Sequence, residues 1–162
     1  MNGSDTRNDA VSTAEGAGVR RSVGLEQSTF LDLLRAANRL SQGVVEVLKP
    51  AGLTPTQYNV LRILRGSGEP LTCGEMADRM IARDPDVTRL LDRLEKQGLI
   101  RRERSREDRR VVITEITDDG LTVLSALDEP VARLHRAQLG HLGEEKLGTL
   151  ARLLEEALQT VP

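Results

Sequence analysis

Asp84-Pro-Asp-Val-Thr-Arg-Leu-Leu-Asp-Arg-Leu-Glu-Lys-Gln-Gly-Leu-Ile-Arg-Arg-Glu-Arg-Ser-Arg-Glu-Asp-Arg-Arg-Val-Val-Ile-Thr-Glu-Ile-Thr117 is the stretch on which the fold turns. It opens with helix-start chemistry. Asp84 suits a cap, and Pro85 suits a first helical position, where the missing N–H has no partner to lose. Val87, Leu90, Leu91 and Leu94 follow at i, i+3, i+4 and i+7, one apolar stripe of a short helix. Gly98 supplies the left-handed residue that closes it. Asp86, Thr88, Arg89, Asp92, Arg93 and Lys96 occupy the opposite side. Leu99 and Ile100 then start an apolar run. Six arginines, at 101, 102, 104, 106, 109 and 110, lead into the β-branched strand Val111–Ile116, with a polar turn at Ser105–Asp108. Taken alone, the helix reads as an ordinary solvated amphipathic helix. Beside an arginine-rich hairpin it reads as a helix for a DNA groove with a basic wing. A planar guanidinium donates two parallel hydrogen bonds to phosphate or a base edge. A hairpin edge guarded by charge is the plainer reading of the arginines.

Upstream, Thr54-Pro-Thr-Gln57 and Thr72-Cys-Gly-Glu75 each have the pattern of a capping box. Leu53 with Tyr58, and Leu71 with Met76, stand at the staple positions around them. The second helix continues through Val60, Leu61 and Leu64 to Gly66 and Gly68. The third is expected to end near Ala82, directly before the 84–97 helix. Two helices joined by a short turn, with a hairpin after them, form a winged helix-turn-helix. Before them a helix is expected from Ser28 to about Lys49, stopped by Pro50. After Thr117 a long helix carries Leu121, Leu124, Leu127, Val131, Leu134 and Leu139, and Pro130 is expected to kink or split it. A last helix starts near Gly143, with Glu144 and Glu145 in its first turn. The expected fold is mainly α with a small β-hairpin wing. Residues 1–27 form a disordered arm, 51–117 the DNA-binding region, and 28–50 with 118–162 a helical dimerisation region. The terminal helices hold more leucine than a winged helix can cover, which points to pairing with a second copy.

The chain has 162 residues, 38% hydrophobic and 30% charged, which fits one domain with a substantial core. Phe30 and Tyr58 are its only aromatic residues, and it has no tryptophan, which argues against a base-stacking single-strand binder. The net charge of −2 hides a segregation. Residues 83–110 hold ten basic and seven acidic groups, and residues 111–162 hold four basic and nine acidic. Positive charge is thus concentrated where helix and wing lie. The single cysteine, Cys73, excludes an internal disulfide and fits a reducing cytoplasm. No stretch has the length and apolarity to span a bilayer, and the start lacks a signal-peptide layout. No phosphate loop, nucleophile elbow or His-based triad is present, so no catalytic residue is assigned and an enzyme is excluded. His135 and His141 are off any one helical face, so neither a metal site nor a cofactor is expected.

The residues LTPTQYNVLRIL (53–64), TCGEMADRM (72–80), DVTRLLDRLEKQGLIRRERSREDRR (86–110) and ITDDGLTVL (116–124), in that order, resemble the multiple antibiotic resistance regulator (MarR) family. The resemblance covers about residues 28–160. It implies a homodimeric winged helix-turn-helix transcriptional regulator, often a repressor released by a small phenolic or amphipathic ligand. Its wing signature of Asp, any residue, Arg falls on Asp108, Arg109 and Arg110. Asp108 would then hold the wing arginines, and Arg110 would meet phosphate or the minor groove. The expected partners are double-stranded DNA with a pseudo-palindromic operator, a second copy of the chain and a small-molecule effector of unassigned identity, with no membrane. On the DNA side, Asp86, Thr88 and Arg89 are the candidates for base edges. Arg93 and Lys96 are the candidates for phosphate, with Thr72 and the first N–H groups of its helix. Arg104, Arg106 and Arg110 are the candidates for the wing contacts. No ligand-binding residue is assigned. The alternatives are a thiol-based redox sensor acting through Cys73 and a winged-helix protein-interaction module without DNA binding. The N-terminal region, where the peroxide-sensing branch carries its reactive thiol, has no cysteine.

Overall fold

A computed structural model describes residues 24–81, 86–105 and 108–159. The elements run α1 (Leu25–Leu48), a 3-10 turn (Lys49–Ala51), α2 (Pro55–Ser67), β1 (Leu71–Thr72), α3 (Cys73–Arg79), α4 (Val87–Lys96), β2 (Ile100–Arg104), β3 (Val112–Ile116), α5 (Asp118–Leu139), a second 3-10 turn (Gly140–Leu142) and α6 (Gly143–Gln159). The fold is mainly α with one small sheet, as the sequence implies.

The chain divides into two units, residues 1–41 and 42–162. The described part of the first is the leading stretch of α1, which begins at Leu25, three residues before the expected start. It leaves Phe30, Leu31, Leu33 and Leu34 exposed. The second unit holds the core. Leu48, Val60, Leu61, Leu71, Met76, Leu91, Leu94, Ile100 and Leu124 are almost wholly inaccessible and belong to one apolar cluster. This is an aliphatic core, with Tyr58 as its only buried ring.

Both capping boxes form. Thr54 Oγ1 accepts from Gln57 N at 3.2 Å while Gln57 Oε1 accepts from Thr54 N at 2.9 Å. Thr72 and Glu75 repeat the exchange at 3.2 and 2.8 Å. Gly52, Gly68 and Gly98 take the left-handed conformation that ends their helices.

The bounds of two helices are corrected, and two further expectations are sharpened. The expected hairpin wing forms, and β1 joins it in a three-stranded antiparallel sheet of order β1-β3-β2. Leu71 pairs with Thr114 and Thr72 with Ile113, so β3 is central and Thr114 is buried. The cap of α4 is Asp86, whose side chain accepts from Arg89 N, and the helix starts at Val87. Asp84 and Pro85 lie outside the described residues. The third helix stops at Arg79, where Met80 turns to extended backbone, well short of Ala82. Of the two outcomes expected at Pro130, a kink or a split, the split does not occur, since α5 runs unbroken from Asp118 to Leu139. The carbonyl that a proline at 130 leaves without a helical donor belongs to Ala126, at an exposed position where water can serve it.

Candidate nucleic-acid interface

At 100° per residue, α4 turns Val87, Leu90, Leu91 and Leu94 into the core and leaves the far side to solvent. Arg89, Arg93 and Lys96 share that far side, all exposed, and Thr88 lies on its flank. Asp86 is occupied in the cap. Its Oδ1 accepts from Arg89 N at 3.3 Å, and its Oδ2 lies 3.7 Å from the Arg89 guanidinium.

Asp92 and Glu95, at i+4 and i+7 from Thr88, lie on the same flank of α4 as that residue. Both face Arg102 of β2. Arg102 donates from Nε to Glu95 Oε2 at 2.9 Å and from Nη2 to the same oxygen at 2.6 Å. The same Nη2 also donates to Asp92 Oδ1. The backbone N of Arg102 donates to Glu95 Oε1 at 3.2 Å. The hydrogen bond to Glu95, with help from Asp92 and against the cost of partial burial, holds the Arg102 guanidinium more firmly charged than usual. Arg101 spends its charge within the sheet, where Nε donates to Glu115 Oε1 of the facing position at 2.6 Å. Two of the six arginines are therefore structural. A count of arginines along the chain overstated the wing's supply of free cations.

The tip of the wing is ordered by Asp108. Its Oδ1 accepts from Arg110 N at 2.9 Å, an Asx turn, and its carbonyl accepts from Val111 N at 2.9 Å. Ser105 N closes the hairpin on Val111 O at 2.9 Å. Asp108 thus holds the backbone at Arg110. Arg104 Nη1 donates to the Arg109 carbonyl at 2.8 Å, which ties one wing cation across the turn. Arg110 is exposed, and Arg106 lies outside the described residues. The base of the wing is fixed by Thr117, whose hydroxyl donates to Gly98 O at 2.7 Å and whose N donates to Leu99 O at 3.1 Å.

Thr72 is engaged in its own helix cap. Its hydroxyl donates to Glu75 Oε2 at 2.8 Å, and the same carboxylate accepts from Thr72 N. The hydrogen bond from Thr72 N lowers the Glu75 pKa, so a fixed anion already stands at the α3 N-terminus. A phosphate there would meet like charge. Cys73 is exposed at the first position of α3.

Asp92, Glu95 and Arg102 are the residues that reading along the chain missed. The signal was present in part, since Asp92 and Glu95 are three apart on one flank and Arg102 is the inward-facing alternate of Arg101 and Glu103. It identifies no partner until β2 is docked on α4.

A capped helix with one cationic face, beside an arginine-bearing wing on a three-stranded sheet, defines a winged-helix DNA-binding protein. Comparison with known proteins agrees. The MarR family model matches residues 53–112. The transcriptional regulator FarR of Neisseria gonorrhoeae is 30% identical over 129 residues, covering 80% of this chain and 88% of FarR. The transcriptional repressor IacR of Pseudomonas putida is 30% identical over 130 residues, 80% of this chain and 77% of IacR. Among solved structures, a MarR transcription factor of Planctomyces limnophilus is 42% identical with a TM-score of 0.64, covering 82% of this chain and 97% of that one. An E. coli MarR variant complexed with operator DNA shares the fold, with a TM-score of 0.73 at 24% identity, over 83% of this chain and 94% of that one.

The chain belongs to the MarR family. It is a DNA-binding transcriptional regulator and not an enzyme.

Proposed function

We propose that the protein is a dimeric repressor, acting in the cytoplasm, that binds a pseudo-palindromic operator and is released by a small-molecule effector. The observation that carries the DNA part is the exposed cationic face of Arg89, Arg93 and Lys96, set opposite the buried stripe of α4. Thr88 and Arg89, near the helix N-terminus, read base edges, with Arg89 donating to guanine O6 and N7. Asp86 supports them as the cap that sets the helix end. Arg93 and Lys96 meet phosphate. Arg104, Arg106 and Arg110 reach the minor groove or its flanking phosphates, and Asp108 fixes the turn that presents Arg110. Thr72 is left out of the contact set because its hydroxyl already serves Glu75. Repression draws on relatives such as IacR, which carries the name of a repressor. The regulated genes are proposed to lie nearby and to encode a transporter or a catabolic enzyme. The effector would act by favouring the dimer geometry that fits DNA poorly.

The test is binding to duplexes from the intergenic DNA beside its own gene, by fluorescence anisotropy. Arg89→Ala should weaken some operator variants far more than others, by about 1–3 kcal/mol at the base it reads. Arg110→Ala should weaken all sequences alike and flatten the slope of log affinity against log salt by about one unit. Uniform loss from Arg89→Ala, or no loss from either change, would overturn the residue assignment.

A further inference from the structure

Residues 86–97 carry Arg89, Arg93 and Lys96 against Asp86, Asp92 and Glu95. The DNA-facing helix is by itself electrically neutral. Two of its carboxylates, Asp92 and Glu95, stand on the flank next to the wing, where they would oppose an approaching phosphate. Both are bound by one guanidinium, that of Arg102, which is mostly covered while Asp92 and Glu95 remain partly open to solvent.

We infer that Arg102 is a positioning residue for DNA recognition, which masks Asp92 and Glu95 and fastens the wing to the recognition helix without touching DNA. Two features carry this. Glu95 accepts from Arg102 at three points, the backbone N and two side-chain nitrogens, so the carboxylate seals part of the outer edge of β2 as well as pairing a charge. β2 is an edge strand in the order β1-β3-β2, so no other strand competes for that N–H. The three-residue cluster therefore sets the angle between α4 and β2 by directed hydrogen bonds at a place where the sheet offers none. It also turns a neutral helix into a surface with net positive charge. Arg102 acts through Asp92 and Glu95. Arg89, Arg93, Lys96 and the wing tip make the contacts. This inference rests on the DNA-binding reading above.

The experiment compares four proteins on a random-sequence duplex and on the intergenic duplex, across a salt series. They are the wild type, Arg102→Gln, the triple variant Arg102→Gln/Asp92→Asn/Glu95→Gln, and Arg93→Ala as a direct-contact reference. Arg102→Gln unmasks two carboxylates and is expected to lower affinity for random duplex roughly five- to tenfold at low salt. The triple variant removes the same cation but leaves no bare carboxylate. It is expected to regain most of the random-duplex affinity with the wild-type salt slope. On the intergenic duplex its selectivity should stay reduced, because amides hold the wing less firmly. If Arg102 were itself a phosphate contact, the triple variant would stay weak and its slope would fall by about 0.9, as for Arg93→Ala; that result overturns the inference. Equal binding by Arg102→Gln and wild type overturns it too. Thermal melts of every variant separate unfolding from weak binding, and the triple variant, with its charges balanced, keeps the test open if Arg102→Gln is poorly folded. A wild type without salt-linked affinity for either duplex would instead reject the DNA-binding reading itself.

Discussion

Gly120 shows how much a single position can carry. It sits in the first turn of α5, buried, and a Cβ there would stand 2.3 Å from the Leu99 carbonyl oxygen and 2.7 Å from Ile116 Cγ1. The carbonyl cannot retreat, because it already accepts from Thr117 N at the base of the wing. Helix propensity alone would favour alanine by about 1 kcal/mol. Overpacking against backbone reverses the sign, so Gly120→Ala is expected to destabilise by roughly 1–3 kcal/mol in urea unfolding. Gly66 is the control. It is also helical, has open space where its Cβ would be, and Gly66→Ala should stabilise by up to about 1 kcal/mol. Equal effects at the two sites would show that propensity, not the close approach, governs both. Nothing in the run Thr117-Asp-Asp-Gly120 announces that approach, because the carbonyl responsible belongs to Leu99. The capping boxes were legible for the opposite reason: donor and acceptor lie three residues apart, and no third element is needed to bring them together. The choice of Asp86 over Asp84 as the α4 cap lies between. Both are good caps, and only the geometry of the helix start decides.

At the scale of elements, what was legible was whatever depends on periodicity. The stripe Val87, Leu90, Leu91 and Leu94 is buried as its spacing requires. β1 is only two residues long, too short to show alternation, and it exists because β3 offers Leu71 and Thr72 a free edge. Pairings between elements were not legible either. Arg65 on α2 grips Asp128 on α5 through two parallel bonds, Nη1 to Oδ2 and Nη2 to Oδ1, each 2.8 Å. The hydrogen bond from Arg65 holds the Asp128 carboxyl below its usual pKa. A depressed folded-state pKa contributes stability that is present above the unfolded value and is lost as pH falls through the folded one. The effect of this pair should thus be intact at neutral pH and fade only below about pH 4. Both side chains are at least a third exposed, so solvent limits the pair to less than about 1 kcal/mol. Asp128→Asn should melt slightly lower than wild type at pH 7, with the difference shrinking towards pH 3. A gap that widens on acidification would mean that Asp128 is not the depressed carboxyl.

The largest scale is set by surface that the single chain does not cover. No residue of α6 is buried, although Leu147, Leu150, Leu154 and Leu158 share one side of it, and Leu158 is 74% exposed. Arg152, Glu155 and Glu156 stand on other sides, so the helix is amphipathic and no leucine of its apolar face is buried. Burying one such leucine is worth about 1.5–3 kcal/mol, and a row of them favours association strongly. A second copy is the partner best matched to that face, because a two-fold arrangement sets the same leucines against themselves. It would also present two α4 helices to successive major grooves, about 34 Å apart, and make the second half-site contact intramolecular. The double change Leu154→Glu/Leu158→Glu places like charges on the proposed seam without touching α4 or the wing. Sedimentation equilibrium should then show a dimer for the wild type and a monomer for the variant. The variant should lose its advantage for a two-half-site duplex over a one-half-site duplex while keeping a similar, weak, salt-sensitive affinity for the single site. A wild type that stays monomeric at micromolar concentration, or a monomeric variant that still prefers the double site, would remove the dimer from the account and leave each winged helix to bind alone.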